Sequence, residues 1–202
     1  MHEVPTLRNV AGLPSKPNAL ADSALIMIDC QNTYREGIMA LSGVEAALAE
    51  GQRLLEHARR LGVPVIHIQH DAGPGSPYDI RAEIGRIAGI VAPAGAEPVL
   101  VKNYPSSFVG TDLHERLQKL GVKNLVVAGF MTHMCVNSTV RGAFDLGYAA
   151  TVVAKATATR PLPLPTGKVV SAEAVQDSSL AAMGDLFAVV VESADEVVAP
   201  PS

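Results

Sequence analysis

The chain has 202 residues, 48% hydrophobic and 18% charged, with a formal net charge of −4, which is length enough for one domain with a sizeable core. That balance offers no field for nucleic acid or an anionic membrane surface, and 4% aromatics with no Trp leave few platforms for stacking bases. Two cysteines, Cys30 and Cys135, make neither a disulfide framework nor a zinc cluster, and without an apolar leader or a long apolar run the expectation is a soluble protein of a reducing cytoplasm.

In chain order, residues 1–22, with Pro5, Pro14 and Pro17, read as an N-terminal arm, 23–198 as the domain and 199–202 as a frayed tail. Ala24-Leu25-Ile26-Met27-Ile28-Asp29 is an apolar run ending in a carboxylate, the form of a central parallel strand. In open α/β sheets the carboxyl edge of such strands is where ligands bind. Asp29 can equally cap the turn that follows. Alternation turns Cys30 away from Asp29, towards core packing. Ser42 with Glu45 makes a capping box, and Val44, Ala47, Leu48, Gly51, Leu55 and Ala58 give a helix with an apolar stripe ending at Leu61-Gly62. Residues 63–69 form the second strand, with its Pro at the entry and His70-Asp71 at its carboxyl end. His70 and Asp71 are donors of the metal-binding type, but no third His stands at a useful spacing.

Residues 97–102 are a short strand ending in Lys102, a residue that in such a place usually snorkels to the surface. Thr111 caps a helix bearing Leu113, Leu117 and Leu120. Asn124–Ala128 is a buried strand, and after it Val136, Val140, Ala143 and Phe144 recur at helical spacing. Cys135 therefore sits where a strand gives way to a helix, a place whose free amides favour an anion. A thiol there serves as a nucleophile or as a small buried hydrophobe, and position alone leaves both open. Residues 149–154 are a further strand, with Thr157-Ala158-Thr159-Arg160 beyond it and a stiff, proline-rich loop over 161–170, placed to act as a lid. Arg160 either meets a substrate carboxylate or tethers that loop, and the second is preferred. A helix from Ser171 and a strand over 187–191 complete a three-layer α/β/α fold with a roughly six-stranded parallel, doubly wound, Rossmann-like sheet.

Three of these strand ends carry Asp29, Lys102 and Cys135. A cysteine nucleophile needs a proton acceptor, a cation to favour its thiolate, and donors for an oxyanion. Asp29 and Lys102 meet the first two needs, and the backbone N–H groups of Met131 and Cys135 the third. Neither a G-x-G-x-x-G nor a Walker-type phosphate loop occurs.

Ile28-Asp29-Cys30-Gln31-Asn32, the Lys102 strand end with Ser107-Phe108, and Gly129-Phe130-Met131-Thr132-His133-Met134-Cys135-Val136-Asn137-Ser138-Thr139-Val140-Arg141 together resemble the isochorismatase-like cysteine hydrolases. The resemblance runs from about Ala24 to Val198. It implies an Asp29-Lys102-Cys135 triad, a cis peptide at Phe130–Met131, a small-molecule substrate and a homo-oligomer, dimer or tetramer. Gln31, Tyr34, Phe108 and Thr132, in or beside these motifs, are the expected substrate contacts. Nicotinamidases of the family carry Asp-x-His plus a further His after the second strand, where this chain has Gln69-His70-Asp71-Ala72-Gly73, so no metal and no other cofactor is expected. Cys135 favours hydrolysis of an amide C–N bond through a thioester. The alternatives are vinyl-ether hydrolysis with Asp29 as acid, and a catalytically silent α/β scaffold.

Overall fold

A computed structural model describes residues 4–198, so the tail expected at 199–202 lies outside the described residues. The arm holds one helical turn, α1 (Leu7–Val10), started by a capping box between Thr6 and Asn9. It docks on a later helix, where the Leu7 N–H donates to Asp185 Oδ1 at 2.9 Å and Arg8 Nη1 to the Leu186 carbonyl at 2.8 Å.

The domain then runs β1 (Ala24–Ile28), α2 (Val44–Leu61), β2 (Val65–His70), β3 (Val99–Lys102), α3 (Leu113–Lys119), β4 (Asn124–Phe130), α4 (Asn137–Asp145) and β5 (Ala149–Ala158). A short antiparallel hairpin, β6 (Leu162–Pro163) with β7 (Val169–Val170), precedes α5 (Ala172–Leu186), β8 (Ala188–Val191) and α6 (Asp195–Val198). The sheet order is β3-β2-β1-β4-β5-β8, with every neighbouring pair parallel. This is the expected doubly wound sheet.

Strand alternation sorts the core onto two faces. Leu25 and Met27 of β1 pack with Leu48, Leu54, Leu55 and Ala58 of α2 and Val197 of α6. Ala24, Ile26 and Ile28 pack on the other face with Leu113 and Leu117 of α3, Val140 and Ala143 of α4 and Met183 of α5. Full burial of each such leucine or isoleucine stabilises the fold by about 1.5–3 kcal/mol. The chain winds from β1 to β2 in one direction and from β4 to β5 in the other. The strand order therefore reverses between β1 and β4, and their carboxyl ends form the switch point at which open α/β sheets bind ligands.

Local expectations fail where tertiary contacts outweigh them. The Ser42–Glu45 capping box does not form: Gly43, at φ 74°, is the N-cap of α2 and makes no side-chain cap. The Ser42 N–H instead donates to the Thr159 carbonyl at 3.0 Å, and Glu45 takes a two-pronged ion pair from Arg35 at 2.7 and 3.1 Å. β5 outruns its expected end at Ala154, because a bulge between the Val127–Val152 and Gly129–Thr157 pairs lets it rejoin β4. Within the proline-rich loop, the β6–β7 hairpin supplies regular structure that Pro161, Pro163 and Pro165 concealed.

At the opposite rim, His67 of β2 is buried with its Nε2 at 3.0 Å from Glu97 Oε2, and Glu97 also accepts from Arg59 Nε at 2.8 Å and the Ala94 N–H at 2.9 Å. The Arg59 hydrogen bond is the largest of the causes that hold the Glu97 carboxyl at about 2, below its ordinary 4.5. A depressed carboxylate contributes stability above its unfolded-state value and loses it as pH falls through the folded value. Glu97→Gln is expected to be less stable than the parent at neutral pH and to lose less further stability between about pH 4.5 and 2, read as urea midpoints across that range. Parallel pH curves for the two proteins would disprove the assignment.

Candidate active site

β1 breaks its alternation at its end. Asp29 has φ 48°, the one left-handed non-glycine among the described residues, a conformation that typically costs about 1–3 kcal/mol and concentrates at functional sites. Its N–H still donates to the Ile68 carbonyl at 3.0 Å, so the kink begins on a fixed strand. Cys30 then drops into the core as expected, 3% exposed, but the kink and not alternation puts it on the α2 side with Leu25 and Met27. β4 passes unusually close to β1 here: a Cβ on Gly129, at φ 120°, would lie 1.9 Å from the Ile28 carbonyl oxygen, so only glycine fits.

Lys102 ends β3 on the face to which Leu100 also points. Its side chain is fully buried rather than snorkelling, with Nζ 2.7 Å from Asp29 Oδ2 and both side chains 0% exposed. The same Nζ donates to Cys135 Sγ at 3.3 Å and lies 3.3 Å from His70 Nδ1. One ammonium thus hydrogen-bonds two acceptors, the sulfur and a neutral His70 through Nδ1, and makes a close ion pair with the Asp29 carboxylate. Burial, followed by the Lys102 charge, lowers the His70 pKa and keeps the ring neutral.

Cys135 lies in a π-helical turn, Thr132–Val136, between β4 and α4, where the Met134 and Val136 N–H groups both donate to the Met131 carbonyl. The Phe130–Met131 peptide is cis. One turn further on, Thr139 Oγ1 accepts from the Ser107 N–H at 3.0 Å and pairs with Ser107 Oγ at 2.9 Å, tying the segment after β3 to α4 and so Lys102 to Cys135.

The sulfur, expected as an anion, is a thiol in this setting. Burial, then the Asp29 charge, pushes Cys135 up to about 12, against the opposing pull of Lys102. The reason is local neutrality: Asp29 cancels most of the ammonium's field at 2.7 Å, which leaves desolvation in control.

The expected substrate contacts divide. Gln31, 0% exposed, spends its amide on the protein: Nε2 donates to the His70 and Gly85 carbonyls at 3.0 and 2.7 Å, and Oε1 accepts from the His70 N–H at 2.9 Å. It fixes the loop after β2 and carries His70 into place. Phe108 stacks on Tyr148 with ring centroids 5.9 Å apart and lies against Gly142, nearly two turns down α4 from the thiol, so it packs on a helix flank. Tyr34 and Thr132 lie close to the segment that carries the thiol, Thr132 within its π-helical turn and Tyr34 against Phe130 just before it. Tyr34, 1% exposed, stands edge-on to Phe130 at 5.6 Å and to Tyr78 at 5.7 Å, and Tyr78 stands edge-on to His70 at 5.1 Å. Thr132 is 0% exposed, and its hydroxyl has no partner among the described residues. Asp71 is taken by Arg81, at 2.9 and 3.0 Å, and by the Gly73 N–H. Tyr78 is the residue that sequence reasoning left out, and His70 was weighed there only as a metal-type donor and not as a partner of Lys102. Their only signal was a place at or just after the carboxyl end of β2.

A parallel α/β sheet with titratable groups gathered at its switch point places the chain among the α/β enzymes. The family model for the isochorismatase domain matches residues 23–195. The chain is 42% identical to YddQ, an isochorismatase family protein of Bacillus subtilis (strain 168), over 83% of this chain and 94% of that one. It is 30% identical to the ureidoacrylate amidohydrolase RutB of Stutzerimonas stutzeri (strain A1501), over 72% and 75% of the two chains. Among solved structures, an isochorismatase from Pseudomonas putida KT2440 superposes with a TM-score of 0.92 at 38% identity, covering 96% of this chain and 99% of that one. The chain belongs to the isochorismatase family and is a hydrolase. Among the described residues, no helix is long and apolar enough to cross a membrane.

Proposed function

We propose that this chain hydrolyses the amide C–N bond of a small molecule through a thioester on Cys135. The observation that carries the reading is one buried ammonium, Lys102, shared between the Asp29 carboxylate at 2.7 Å and the Cys135 sulfur at 3.3 Å. As the substrate carbonyl enters, Asp29 accepts the thiol proton and Cys135 Sγ bonds to the carbonyl carbon. The Met131 and Cys135 N–H groups hold the oxyanion. Asp29 then returns the proton to the departing nitrogen, the C–N bond breaks and the amine leaves. A water molecule, its proton taken by Asp29, attacks the thioester, and the acid departs as the thiol is restored. Lys102 holds the carboxylate and the sulfur together through the reaction.

General acid–base help of this kind is worth about 10²–10⁴-fold and a single oxyanion donor about 10²–10³-fold. The amidohydrolase name of one relative supports C–N chemistry over ether cleavage. The test is ammonia release from a panel of small primary amides, run beside isochorismate. Ammonia release that requires Cys135 is the expected result. Ether cleavage that survives Cys135→Ala, with no ammonia from any amide, would replace this reading with the vinyl-ether one.

A further inference from the structure

Arg160 stands two residues beyond Ala158, the β5 neighbour of Phe130 on β4, and so flanks the segment that leads to Cys135. The backbone before it is pinned. The Thr159 carbonyl accepts the Ser42 N–H at 3.0 Å, and Thr159 Oγ1 pairs with His133 Nδ1 at 2.5 Å. Pro161 follows at once, so the guanidinium is presented from a stiff strand end.

The tether to the proline-rich loop does not form. Arg160 Nε is buried without a hydrogen-bond partner, and no carboxylate among the described residues pairs with this guanidinium. A solvated surface arginine keeps that N–H wet, and a structural one finds a carbonyl or carboxylate. The Arg160 charge reaches His133 on one side and Tyr78 on the other, and Tyr78 also feels Asp29 and Cys135. Through the Thr159–His133 contact and the Ala158–Phe130 pairing, Arg160 is held beside the turn that carries the thiol. A planar, always-charged fork with unspent donors is matched by a carboxylate bound through two hydrogen bonds.

We propose that Arg160 binds a carboxylate on the substrate, so that the Cys135 site takes short amides carrying an acid group. The proposal rests on the amide-hydrolase reading for its chemistry, but its geometry is separate.

The test uses the Cys135→Ala chain, which binds without turnover. Malonamate, succinamate and glutaramate are titrated by calorimetry against their neutral diamides, malonamide, succinamide and glutaramide. At one spacer length the acid is expected to bind at least tenfold tighter than its diamide. Adding Arg160→Gln is expected to erase that preference and leave diamide binding unchanged. Arg160→Lys is expected to keep part of it, and unchanged melting of both variants verifies the fold. Equal affinities, no binding by any acid, or a preference that persists in Arg160→Gln overturns the proposal. Ammonia release from the same ligands by the parent chain separates the two readings. A carboxylate preference without release overturns the amide reading alone, and release without a preference overturns the Arg160 anchor alone.

Discussion

Cys135→Ala is expected to lower kcat for amide hydrolysis by about 10⁴-fold or more, the scale on which removal of a catalytic nucleophile is felt elsewhere. In the proposed reaction the sulfur is the group that carries the acyl intermediate and is then freed by water. Cys135 packs beside Val136 and Val140 on the α4 side of the core, so alanine leaves a small void but no unpaired charge. The Cys135→Ser chain is close to isosteric and is expected to melt with the parent yet remain equally inactive, because a hydroxyl is far harder to deprotonate beside a neutral Asp29–Lys102 pair. Mass spectrometry of the parent quenched during turnover is expected to find an acyl group on Cys135. Turnover by Cys135→Ala within tenfold of the parent would remove the thioester from the mechanism.

The second large effect is at Lys102, where Lys102→Met should abolish activity and destabilise the fold by about 3–5 kcal/mol, the range found when one partner of a buried ion pair is deleted. The loss follows from what remains: an Asp29 side chain 0% exposed, with its cation gone. Asp29→Asn should do damage of the same kind by stranding the ammonium. The double variant Asp29→Asn/Lys102→Met leaves no uncompensated charge, so it should be more stable than either single variant in urea, though inactive. A double variant whose destabilisation is the sum of the two would mean that the pair does not act as a unit.

How much of this was legible in the sequence differs by element. The apolar runs ending in Asp29 and Lys102, and the strand-to-helix junction at Cys135, each have a local pattern, and the topology needed only the rule that crossovers are right-handed. Asp29 and Lys102 could be named because each follows or ends an apolar strand with a charge, and Cys135 because it lies where a strand gives way to a helix. His70 closes a strand too, but nothing local distinguishes a histidine that accepts from an ammonium from one that packs. Gln31 and Phe108 sit near the motifs in sequence yet turn to Gly85 and to Tyr148, since the direction of a side chain beyond a strand end is set by long-range contacts. Ser42 and Glu45 had the right spacing for a cap and were recruited by Thr159 and Arg35 instead. The ionisation state of the sulfur was the least legible feature, because it depends on how two opposite charges 2.7 Å apart cancel.

That cancellation also bears on survival in an oxidising cell. Peroxides and electrophiles attack thiolates, not thiols, and a sulfur held at about 12 is ionised to only about one part in 10⁵ at pH 7. On the proposed mechanism, Cys135 would then rest between turnovers in a dormant form, protected from sulfenic acid formation by the neutral pair beside it until a carbonyl carbon arrives to receive the electron pair.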